Sequence, residues 1–104
     1  MIRKAFIMTL KPDCQSEYSR RQDPIWPELQ DVLKTHGVHN YSIFLECDSD
    51  RLFGYVELDS EERWKQIADT SVCRRWWDSM KELMMTNADA SPVAVELGEV
   101  FHLD

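Results

Sequence analysis

Tyr18 and Gln22 are four residues apart in a segment patterned as helix, so their side chains stack one turn apart on a single face. A phenol and an amide placed this way offer a donor and acceptors toward one ligand edge. Arg21 lies on a neighbouring face. Tyr41 sits in a strand-like run, where a period of two puts it on the same face as His39, Ile43 and Leu45. Trp76 and Trp77 are adjacent on a helix and project about 100° apart, so one is expected to line a pocket while the other packs inward. Aromatic rings with a polar rim suit a carbohydrate. The apolar face of a pyranose lies on a ring while its hydroxyls meet nearby donors and acceptors. The same rings serve equally well as core, and spacing alone leaves both readings open.

Other reactive side chains point away from metal, redox and phosphate chemistry. His36 and His39 straddle Gly37 at a helix–strand junction, with no third ligand in the pattern to complete a metal site. His36 suits a helix C-terminus, where the dipole favours it, and His102 on the last strand is open to a pocket or a surface role. Cys14, Cys47 and Cys73 are odd in number and form no CxxC pair, as expected of free thiols in a cytoplasmic protein. Arg20-Arg21 and Arg74-Arg75 are expected to be solvated or paired with the many acids. No GxGxxG, GxSxG, HExxH or P-loop occurs. A net charge of −7 spread along the chain repels phosphate backbones and excludes nucleic acid as the expected partner, while leaving a neutral sugar unaffected. No apolar run is long enough for a membrane helix, and the first residues lack a signal-peptide cleavage pattern.

The elements that must position these groups fit a single domain over residues 1–104. Residues 2–10 read as a strand, followed by a helix N-capped at Asp13 and running to about Gln22. Pro24 and Pro27 interrupt it, and helix resumes over residues 28–35 before Gly37. Residues 38–46 and 52–58 read as a hairpin, and Asp59-Ser60-Glu61-Glu62 opens a helix through Ala68. Thr70 or Ser71 caps a further helix to about Leu83. Residues 84–92 read as a loop, and residues 93–103 as the last strand. The order β-α-β-β-α-β, with each helical segment broken in two, predicts an α+β ferredoxin-like fold with one antiparallel sheet and helices on one face. A bare sheet face predicts a dimer that buries sheet against sheet as a dimeric α/β barrel.

Several stretches together resemble the L-rhamnose mutarotase family. They are Tyr18-Ser-Arg-Arg-Gln22, Asp23-Pro-Ile-Trp-Pro-Glu-Leu29, His36-Gly-Val-His-Asn-Tyr41, Glu61-Glu-Arg-Trp64, Cys73-Arg-Arg-Trp-Trp77, Ser91-Pro92 and Glu99-Val-Phe-His-Leu103. The resemblance covers essentially the whole chain. It implies a homodimer that interconverts the α and β anomers of L-rhamnopyranose or a related deoxy sugar, without a metal or organic cofactor. Substrate contacts then fall on Tyr18, Tyr41, Trp76 and Trp77, and the proton donor falls on Gln22, where family members typically carry histidine. A glutamine amide hydrogen-bonds but does not titrate near neutrality. Three accounts fit it: a histidine replaced so that sugar binds with impaired turnover, another acid among Tyr18, His39 and His102, or a non-catalytic rhamnose-binding or regulatory dimer. A further reading, from fold analogy alone, is a haem- or quinone-handling monooxygenase.

Overall fold

A computed structural model describes residues Met1–Asp104. Its elements are β1 (Ile2–Thr9), α1 (Gln15–Gln22), α2 (Pro27–Thr35), β2 (Val38–Glu46), β3 (Arg51–Leu58), α3 (Glu61–Ile67), α4 (Ser71–Met80) and β4 (Val95–Leu97). The strands make one antiparallel sheet in the order β2-β3-β1-β4, the ferredoxin-like arrangement expected from the element order.

β1 and β3 pair along their whole length, from Ile2 opposite Leu58 to Thr9 opposite Arg51. Alternate residues then point to one side. Phe6, Met8, Leu52, Val56 and Leu58 are buried with Tyr18 of α1, Leu29 of α2, Ile67 of α3 and Trp76 and Met80 of α4. Gly54 faces Phe6 across this pair, and a Cβ there would lie 2.5 Å from the phenyl ring. Only a hydrogen leaves that ring its place.

The helix starts follow local chemistry. Pro27 opens α2, where its missing N–H costs nothing. Ser60 caps α3 by accepting from the Arg63 amide, and Thr70 caps α4 by accepting from the Cys73 amide. Gly37, with φ +77°, turns the chain out of α2 into β2 in the left-handed region glycine favours.

Three expectations are corrected. Asp13 is not the cap of α1: it is itself left-handed at φ 65°, and the helix starts after Cys14 without a side-chain cap. A short polar side chain tolerates that conformation, so Asp13 makes the turn instead. The last helix stops at Met80 rather than near Leu83, because the Leu83 carbonyl accepts from Lys11 and the Met85 amide donates to Thr9. Those bonds fasten the segment to the end of β1, and Leu83 closes only an i→i−3 turn onto Met80. The final strand spans only Val95–Leu97, not residues 93–103. An apolar pattern becomes a strand only beside another strand. Past Gly98 the chain leaves the β1 edge, with Arg3 holding Glu99 at 2.9 Å and Val100 97% exposed. No helix is long and apolar enough to cross a membrane.

Candidate active site

A cavity of about 980 Å³ opens between the inner sheet face and the helices. Tyr18 and Gln22 reach it from α1, Tyr41 from β2, and Trp76 and Trp77 from α4. The structure thus brings all five expected site residues onto one cavity. Trp76 packs its ring edge-on to Trp26 at 5.1 Å and is 9% exposed, whereas Trp77 is half-buried. Both tryptophans nevertheless line the cavity, so the expected split between pocket and core is one of degree.

Tyr41 anchors an aromatic wall. Its ring meets Phe6 at 6.2 Å and 76° and Trp64 at 5.9 Å and 64°, both edge-to-face geometries. Burial pushes the Tyr41 phenol above its ordinary range, and the nearby Tyr18 and Cys73 add to the effect. Burial likewise pushes the Tyr18 phenol up to about 12, against the opposing effect of the Gln22 amide. Both phenols stay neutral near pH 7 and act as hydrogen-bonding groups, not bases. Cys73, behind this wall, is lifted to about 11 by burial and is an unreactive thiol rather than a nucleophile.

α1 is held against α4 by Arg21, whose guanidinium donates to the Ser79 carbonyl at 2.7 Å and pairs with Glu82 at 2.6 Å. The same guanidinium meets Glu17, which also takes Arg20 at 2.5 Å. The Arg20 and Arg21 hydrogen bonds hold the Glu17 carboxyl down at about 2. Arg74 and Arg75 pair with Asp69 and Glu28, so each member of the two arginine doublets lies beside an acid. Of these contacts, those of Arg21 to Ser79 and Glu82 join α1 to α4, the helix that carries Trp76 and Trp77, and to the segment after it.

None of the three histidines lines the cavity. His36 caps α2 and its ring Nδ1 lies 2.7 Å from the Val32 carbonyl, the helix-end role expected of it. His39 was expected to share a face with Tyr41, and this is corrected. The β2–β3 register shifts between His39 and Ser42, with Asn40 at φ 46°, so the alternation restarts. Val38 becomes buried, and His39 turns outward to Asp59 at 3.2 Å. His102 lies outside the sheet and pairs with Asp104 at 2.7 Å.

The cavity also takes in residues that sequence reasoning did not assign to a site. Trp64 of α3 is a wall residue, and Ser19 and Asp23 stand beside Gln22 at the end of α1. Ser19 and Gln22 are three apart on α1, a helical spacing that could have flagged the first of these. Lys4 and Glu96, facing inward from β1 and β4, meet at 2.8 Å, and Glu61 approaches Lys4 to 3.4 Å. Burial works to lower the Lys4 ammonium, but its bonds to Glu96 and Glu61 outweigh it and raise it overall. These groups suit a neutral polyol with one apolar face. No group of three or more His, Cys, Asp or Glu side chains is placed to hold a metal ion.

Comparison with known proteins bears on the whole chain. The sequence model of the L-rhamnose mutarotase family matches residues 3–103. An L-rhamnose mutarotase of Tolumonas auensis is 57% identical over 103 residues, covering 99% of each chain. One from Opitutus terrae is 58% identical over 104 residues, covering 100% of each. The crystal structure of an L-rhamnose mutarotase from Formosa agariphila superposes with a TM-score of 0.92 at 36% identity, covering 100% of each chain. An antibiotic biosynthesis monooxygenase from Nitrosomonas europaea shares the fold alone, with a TM-score of 0.65 at 14% identity over 97% of this chain and 100% of its own. A cavity that gathers Tyr18, Gln22, Tyr41, Trp76 and Trp77, in a chain matched this closely from end to end, belongs to a member of the L-rhamnose mutarotase family.

Proposed function

We propose that this chain interconverts α- and β-L-rhamnopyranose by acid–base ring opening and closure, with a rate lowered by Gln22. The observation that carries this reading is the convergence of Tyr18, Gln22, Tyr41, Trp76 and Trp77 on one cavity. The named relatives, 57% and 58% identical, support the choice of L-rhamnose. In the reaction a proton leaves the anomeric hydroxyl as the bond from C1 to the ring oxygen breaks, and the ring oxygen gains a proton. The aldehyde carbon turns about C1–C2, and the steps reverse onto the other face. The tryptophans carry the apolar face of the sugar, while the phenols of Tyr18 and Tyr41 hydrogen-bond its oxygens. Gln22 orients an oxygen but transfers no proton, and losing a general acid typically costs about 10²–10⁴-fold.

NMR saturation transfer between the two anomeric protons of L-rhamnose tests this directly. The protein is expected to exchange them above the buffer rate, and Gln22→His to raise that rate about 10²-fold or more. Exchange no faster than buffer in the unmodified protein would sink the catalytic reading. A second reading, a non-catalytic rhamnose-binding dimer, is favoured by the absence of any histidine from the cavity. It requires sugar-dependent quenching of tryptophan fluorescence without exchange.

The proposed working unit is a homodimer joined through the outer sheet face. The register lines up Phe44, Phe53, Ile7 and Val95 in one row and Ser42, Tyr55, Ala5 and Leu97 in the next. Phe44 is 62% and Val95 59% exposed, a concentration of apolar surface that a second copy would cover. The unpaired thiols fit a reducing cytoplasm.

A further inference from the structure

Ring opening needs a group that takes and returns a proton, and this cavity has no imidazole. Six titratable side chains line it: Lys4, Tyr18, Asp23, Tyr41, Lys65 and Glu96. Tyr18 is buried and Tyr41 half-buried, and both phenols are held in the neutral form. Lys4 and Glu96 are committed to each other at 2.8 Å. Lys65 carries an ammonium group, which has no acceptor atom. Asp23 differs from all of these. It follows Gln22 directly, caps α1 with an extended backbone at φ −134°, and lines the cavity as a solvent-exposed carboxylate that no side-chain hydrogen bond or ion pair occupies.

We infer that the Asp23 carboxylate is the proton-transfer group of this chain, doing the work that the amide of Gln22 cannot. The inference rests on the mutarotase reading above. Asp23 takes the proton of the anomeric hydroxyl as the C1–O1 bond becomes a carbonyl and the C1–O5 bond breaks. The electron pair left on O5 takes a proton from a water molecule, and the resulting hydroxide removes the proton from Asp23. The sugar has then lost one proton at O1 and gained one at O5, and the carboxylate is restored. Closure runs the same steps backward. A carboxylate is a weaker base than imidazole, so exchange through it is expected to be slower than at a histidine-bearing site.

The test is anomeric exchange by NMR on the unmodified protein, Asp23→Asn, Asp23→Glu and Asp23→Ala, with rhamnose binding followed by tryptophan quenching. Asp23→Asn keeps the shape of the side chain and is expected to lose about 10²-fold or more in exchange while binding changes little. Asp23→Glu should restore part of the rate. Added formate should accelerate Asp23→Ala but not the unmodified protein, an effect that a merely structural role for Asp23 would not produce. Exchange within a few-fold of normal in Asp23→Asn overturns this inference and leaves the mutarotase reading standing. Failure of formate to accelerate Asp23→Ala, or loss of binding in proportion to rate in Asp23→Asn, also overturns it. Exchange no faster than buffer in the unmodified protein overturns both.

Discussion

Replacing Gly54 with alanine tests the packing that supports the cavity wall. The added Cβ would sit 2.5 Å and 2.6 Å from two atoms of the Phe6 ring. Carbon atoms pack at about 3.5–4.0 Å, so the clash is about 1 Å and involves a ring already in contact with Tyr41 and Trp64. Either the ring leaves its rotamer, at about 0.5–1.5 kcal/mol, or the strands part as well, bringing the total to about 1–3 kcal/mol. Urea unfolding followed by tryptophan fluorescence, at one fixed protein concentration, should show this loss. Rhamnose binding should weaken too, because Phe6 supports Tyr41. A companion variant, Phe6→Leu, removes the obstructing atoms at a cost of its own. On that background Gly54→Ala should add almost nothing, a coupling of about 1–3 kcal/mol between the two sites. A loss below about 0.5 kcal/mol for Gly54→Ala alone would refute the steric argument. So would an equal loss on both backgrounds.

Alkaline stability and oligomeric state provide two further checks. Tyr18 keeps its proton to about pH 12 in the folded chain, against an ordinary value of 10, because burial disfavours the phenolate. Between those values the folded state binds more protons than the unfolded state, so stability falls as pH rises, by about 1.4 kcal/mol per unit for this group. Tyr18→Phe should flatten the fall in urea midpoint above pH 10, and an unchanged slope would contradict the assignment. Phe44→Glu places a charge in the outward apolar row at a position 62% exposed, where the single chain loses little packing. Sedimentation should then give the mass of one folded chain, against two for the unmodified protein. A surviving dimer would move the interface elsewhere.

Much of the fold was legible because its signals are local. The period of two in residues 2–9 and 51–58 chooses the buried face, and Gly37, Ser60 and Thr70 mark helix ends by their own backbone and side-chain chemistry. The four-residue spacing of Tyr18 and Gln22 places both on one face of α1 without reference to any other element. Asp13 fails as a cap because its own backbone is left-handed, and two other errors fall where an element depends on a distant neighbour. α4 stops where residues 83–85 bond to the end of β1, and the last strand stops where the β1 edge is left behind. Neither partner can be seen in a local pattern.

The sequence by itself therefore determined the order of elements, the inward faces of β1 and β3 and the kinship of the whole chain. It also determined the side-chain chemistry at position 22, an amide that does not titrate near neutrality. Tertiary structure decided which side chains share the cavity. The break in β2 register turned His39 away from Tyr41, the sheet brought Lys4 to Glu96, and the fold placed Asp23 on the cavity. The physical reason is that a one-residue shift reverses every later side chain in a strand. Contacts between elements depend on that register and on packing, neither of which a local pattern contains.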